Sequence, residues 1–94
     1  MADYSERVRL LVEKLLLHRG RRHATCRVFP PSPGARTYSV LLEESQVREQ
    51  FYVETSQIEQ FVKTGNDRYI LSSVRGAFHN LDRQVLKKKA SRGR

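Results

Sequence analysis

Ninety-four residues carrying 18 Lys and Arg against 10 Asp and Glu, a formal charge of +8, describe one small basic domain. A chain this short buries only roughly 60–65% of its unfolded surface, so every apolar face is needed for the core or for a partner. Its single cysteine, Cys26, excludes an internal disulfide, and no run reaches 18 apolar residues, which excludes a membrane-spanning helix.

The charge is unevenly spread. Residues 1–18 balance, residues 19–36 hold five Arg and no acid, residues 37–62 hold five Glu against Arg48, and residues 63–94 hold nine bases against Asp67 and Asp82. Two basic blocks flanking an acidic middle favour a polyanion as partner, nucleic acid first, then an anionic membrane or an acidic protein. With Asp3 and Glu6 near the start and no apolar core followed by small residues, no signal peptide is expected. An intracellular location, cytoplasmic or nuclear/nucleoid, is the expectation.

In chain order, Tyr4, Val8, Leu11, Val12, Leu15 and Leu16 recur at helical spacing, which predicts a first helix over about residues 4–18. Asp3 or Ser5 supplies the cap, and Gly20 a stop. Residues 23–29 alternate, with Ala24, Cys26 and Val28 on one side and His23, Thr25, Arg27 and Phe29 on the other, as in a half-buried strand. Pro30, Pro31, Pro33 and Gly34 break regular structure. A second strand is expected over Thr37–Glu44 and a third over Gln50–Thr55.

Ser56 and Glu59 have capping-box spacing at the head of a short helix with Ile58, Phe61 and Val62 on its apolar side, ended by Gly65. Asn66 or Asp67 then caps a long helix to about Lys89, in which Leu71, Val74, Phe78, Leu81 and Val85 form one stripe, widened by Ile70, Ala77 and Leu86. Residues 69–74 are rich in β-formers and compete as a fourth strand, but the stripe continues unbroken to Val85 and favours helix. The fold class is therefore α+β: a three-stranded antiparallel meander with an N-terminal helix and a C-terminal helical half packed on one face. The domain spans 1–89, followed by a flexible basic tail over 90–94.

The chemistry is sparse. His18, His23, Cys26 and the distant His79 do not have the paired ligand spacing of a zinc site, so no metal and no cofactor is expected. Cys26 lies on the core-facing side of its strand, away from any base. Glu43 and Glu44 are adjacent on a strand and point to opposite faces. No convergent acid, base and nucleophile supports an enzyme, and no phosphate-cradling glycine motif occurs.

The basic residues carry more. Arg19, Arg21 and Arg22 at the turn into the first strand, with Arg27 and Arg36, are suited to phosphate. Lys87, Lys88, Lys89, Arg92 and Arg94 form a second cluster at the C-terminus. Phe29 and Tyr52 are the candidate stacking surfaces on the open sheet face. The element order resembles double-stranded RNA-binding domains and the Alu-binding subunits of the signal recognition particle. The Lys-Lys-x-Ala that opens the second helix of the former is missing here, Lys88-Lys89-Ala90 standing at the other end, and no functional residue carries over. The expected function is a non-enzymatic nucleic-acid-binding module, RNA ahead of DNA. The alternative is a protein-interaction subunit, homodimeric or an adaptor, using the helix stripes and the open sheet face.

Overall fold

The computed structural model describes residues 3–92, with side chains to residue 88. Three helices and three strands follow in the order α1 (Ser5–His18), β1 (Thr25–Phe29), β2 (Thr37–Glu44), β3 (Val47–Glu54), α2 (Thr55–Thr64) and α3 (Arg68–Arg92). The strands form one antiparallel sheet in the order β1-β2-β3. The expected α+β meander is the observed architecture. Residues 69–74 are helical, and α3 runs to Arg92, past the expected end near Lys89.

All three helices lie on one face of the sheet, α1 over β1 and both α2 and α3 over β3. The core between them is a single cluster. Val8, Val12 and Leu16 enter it from α1, and Ile58 from α2. Ile70, Val74, Ala77, Phe78 and Leu81 enter from α3, against Cys26, Tyr38, Val40, Leu42, Phe51 and Val53 from the sheet. The α3 stripe is thus centred on Ile70 and Ala77 more than on Leu71, which is half-buried. Leu86 does not widen it: one residue past Val85 it has rotated about 100° and is 65% exposed.

Local chemistry explains where the elements begin. The Asp3 carboxylate accepts from the N–H and the hydroxyl of Ser5 at 2.9 and 2.6 Å, fixing the head of α1. The hydroxyl and N–H of Ser5 hold that carboxyl below the usual carboxylate range. The capping box of α2 is not Ser56–Glu59 but Glu54–Gln57, with Gln57 Oε1 accepting from the Glu54 N–H at 3.3 Å. The shift follows from Thr55, whose N–H and hydroxyl both bond to the Arg36 carbonyl at 2.8 and 2.9 Å and pin the turn two residues earlier. Gly65 ends α2 with φ +75°, a left-handed conformation open to glycine at no steric cost, and Asn66 Oδ1 accepts from the Arg68 N–H at the head of α3.

β3 begins at Val47, three residues before the expected start, because the turn is the two-residue pair Ser45-Gln46. Both have positive φ, 52° and 66°, as a type I′ hairpin requires, yet neither is the Asn or Gly that adopts it readily. Ser45→Asn with Gln46→Gly should therefore raise stability by about 1 kcal/mol, or roughly 4–8 °C in Tm, measured by thermal melting. An unchanged or lower Tm would show that the loop is not strained.

Candidate functional site

The expected Arg cluster at the α1–β1 turn does not converge on one surface. Arg21 points inward, its side chain only 12% exposed, and its guanidinium bonds to both oxygens of Glu44 at 2.8 and 2.9 Å and to Asp82. Burial works against its charge, but the hydrogen bonds it donates to Glu44 and Asp82 outweigh that cost and hold its pKa above the ordinary arginine value. Arg19 and Arg21 both lie over the ring of Phe78, at 5.5 and 5.4 Å from its centroid. These two arginines therefore tie the end of α1 to β2 and α3, and Arg21 has little left to offer a phosphate.

Arg21→Met should cost about 2–3 kcal/mol, since Glu44 would stay half-buried without its partner. Denaturant titration measures the loss, and an effect below about 0.5 kcal/mol, the usual size for a surface substitution, would return Arg21 to the set of free surface cations.

The remaining predicted residues scatter. Arg22 is exposed at the turn, and Arg27 is exposed on the open face of the sheet. Arg36 sits in the proline loop, next to a tight turn in which the Ser32 carbonyl accepts from Ala35 N–H at 2.9 Å with Gly34 at φ +84°. Lys88 reaches the hairpin, its Nζ donating to Oε1 of Gln46 at 3.0 Å. Lys87 is exposed on α3. Lys89, Arg92 and Arg94 fall outside the described side chains.

A different row of charge is assembled instead. Arg68, Arg75, His79, Arg83 and Lys87 succeed one another at steps of 7, 4, 4 and 4 and are all exposed on the side of α3 away from the core. The i, i+4 row is the natural ridge of a helix surface, and each four-residue step advances about 6 Å. Among the described residues the basic partners in ion pairs are Arg9, Arg21 and Arg48, and none of these ridge cations forms an ion pair, Glu49 beside Arg83 and Lys87 being bonded to Gln84 and Asn80. At its C-terminal end the ridge meets β3: Arg83 and Lys87 border one shallow depression, and Arg48, Lys87 and Lys88 border the next. Sequence reading passed over Arg68, Arg75 and Arg83, although their spacing was visible, because the apolar stripe of the same helix dominated.

The opposite surface is the uncovered face of the sheet. Register puts Phe29, Ser39 and Tyr52 in one row across the three strands, Arg27, Leu41 and Gln50 in the next, and Thr25, Glu43 and Arg48 in the third. Phe29 and Tyr52 are 47% and 59% exposed. His23, expected beside them, precedes β1.

Cys26 is buried in the core, and burial, with a smaller contribution from Glu13, pushes its thiol up to about 12. A raised folded pKa means that this thiol supports the fold below its ordinary value and withdraws that support as pH climbs towards about 12. Alkylation of Cys26 at neutral pH should be at least about tenfold slower in the folded chain than in denaturant, because reaction requires the exposed thiolate. Equal rates would place it at the surface. Among the described residues no group of three or more His, Cys, Asp and Glu is placed to hold a metal ion. No helix among them is long and apolar enough to cross a membrane. No family model matches the chain, and comparison with curated proteins and with solved structures gives no match either.

Proposed function

We propose that the protein is a non-enzymatic nucleic-acid-binding module that grips the phosphate backbone with the outer ridge of α3. The observation that supports this is the ridge itself: Arg68, Arg75, Arg83 and Lys87, exposed in line and free of acidic partners among the described residues. Cations spaced along a rigid helix hold a regularly charged polymer better than a single small anion. The +8 charge of the chain supplies long-range attraction, and Lys88, bonded to Gln46, carries the basic surface to the hairpin, where Arg48 is paired with Glu43. Backbone contacts of this kind give affinity with little sequence discrimination.

The test is binding of labelled RNA and duplex DNA by fluorescence anisotropy, comparing the native chain with a variant in which Arg75, Arg83 and Lys87 are Glu. Salt-sensitive binding by the native chain, lost in the variant, supports the proposal. Failure of the native chain to bind either polymer, or equal binding by both proteins, overturns it.

A second reading, a protein-interaction subunit, is favoured by one observation: Leu10 and Leu17, seven residues apart, are both exposed on the outer side of α1. The rest of the α1 stripe is taken up by the core, which leaves this pair a small patch. Sedimentation at high concentration, with Leu10→Glu and Leu17→Glu, checks for self-association through it.

A further inference from the structure

We infer that the uncovered face of the sheet is a stacking platform for single-stranded nucleic acid, with Phe29 and Tyr52 each receiving a base. This rests on the proposed function and names the form of nucleic acid that the protein holds. Phe51 and Phe78 are buried and Tyr38 is sealed in the core, yet Phe29 and Tyr52 stand half open on a face that no helix covers. Tyr69 on α3 is just as exposed, at 53%, but stands alone, whereas Phe29 and Tyr52 share one row of the sheet.

Their placement suits bases. The two rings occupy the outer strands of one register row, about 10 Å apart across two strand spacings. Between them stands Ser39, too small to fill the gap. Each ring is about half exposed, at 47% and 59%, with the small Ser39 beside it in the row. The adjoining row brings Arg27, which has no acid partner among the described residues, and Gln50, which both donates and accepts. A guanidinium two residues along the strand from a stacking ring is placed to hold the phosphate that follows a stacked base.

The third row ties this face to the α3 ridge. Arg48 belongs to the open face by register and also borders the depression shared with Lys87 and Lys88. A strand whose backbone is held at the end of α3 thus reaches the rings around the edge of β3 past Arg48, whose guanidinium also donates to Glu43 at 3.2 Å.

A protein partner fits less well. Such an interface has a continuous apolar centre and a charged rim. Here Ser39 separates the two rings, and the one aliphatic side chain beside them, the half-buried Leu41, is flanked in its own row by Arg27 and Gln50. Isolated flat rings set among hydrogen-bonding side chains match single-stranded ligands, whose bases are free to stack.

The test uses short labelled oligouridine and oligodeoxythymidine, with duplex RNA of the same length, against the native chain, Phe29→Ala, Tyr52→Ala and Tyr52→Phe. Each Ala variant should lose about tenfold or more in single-strand affinity while duplex affinity is unchanged, and Tyr52→Phe, which keeps the ring, should bind as the native chain does. Both residues are exposed, and a thermal melt confirms that each variant is folded. The two oligonucleotides separate RNA from DNA as the preferred strand.

Native single-strand affinity in Phe29→Ala and Tyr52→Ala overturns the inference while leaving the α3 ridge standing. So does a dimer in sedimentation that these substitutions split, which would give the face to a second copy of the chain. If the native chain binds no nucleic acid, single-stranded or duplex, the proposed function falls and this inference with it.

Discussion

Phe78→Ala removes about 3–5 kcal/mol of folding stability, the largest loss expected from any one substitution in this chain. The ring is only 2% exposed and lies in the middle of the buried stripe of α3. Its removal leaves a cavity between α3 and the sheet. It also withdraws the surface over which Arg19 and Arg21 lie, and Arg21 in turn joins Glu44 to Asp82. A domain of this size has total stability of roughly 5–15 kcal/mol, so the variant should melt at least about 12 °C lower or be largely unfolded at physiological temperature. Circular dichroism during heating measures this. A fall of only a few degrees would mean that the joint between α1 and α3 is not where the fold is held.

Reversing Arg75, Arg83 and Lys87 to Glu should weaken nucleic-acid binding on the order of 100-fold at low salt while leaving stability within about 0.5 kcal/mol. The three side chains are exposed and form no ion pair among the described residues, so no salt bridge is lost with them. Each substitution both removes a counterion-releasing contact and adds a charge that repels phosphate. The pairing of a large binding loss with a small stability change separates the ridge from Arg21, where the expected order is reversed. If binding persists in this triple variant, the backbone is held elsewhere.

Much of the fold could be read from the chain, and the exceptions have physical causes. β2 is bounded by the proline loop and the Ser45-Gln46 turn, and its alternation is unbroken, so its ends fall where expected. β3 hides its first half because Arg48, Glu49 and Gln50 show no apolar alternation. Glu49 lies on the helix-facing side and is satisfied from α3, by Gln84 at 2.6 Å and Asn80 at 3.4 Å, partners that only the tertiary structure brings near. The same holds for Arg21, whose acids are 23 and 61 residues away. Nothing local distinguishes it from Arg22, which remains exposed. The exposed face with Thr25, Arg27, Phe29, Tyr52 and Glu54 follows directly from strand alternation and agrees with the structure, except that His23, expected on it too, precedes β1. The α3 ridge was equally periodic, but a helix with two coincident periodicities shows its core more readily than its outer face.

The most direct test of the α3 ridge as a backbone grip is the salt dependence of RNA affinity. The logarithm of the dissociation constant is compared against the logarithm of salt concentration for the native chain and for Arg75→Ala, Arg83→Ala and Lys87→Ala combined. Each phosphate contact contributes about 0.7–0.9 to that slope, so the triple variant should be shallower by roughly 2–3. Parallel slopes, or native binding indifferent to salt, would contradict the account.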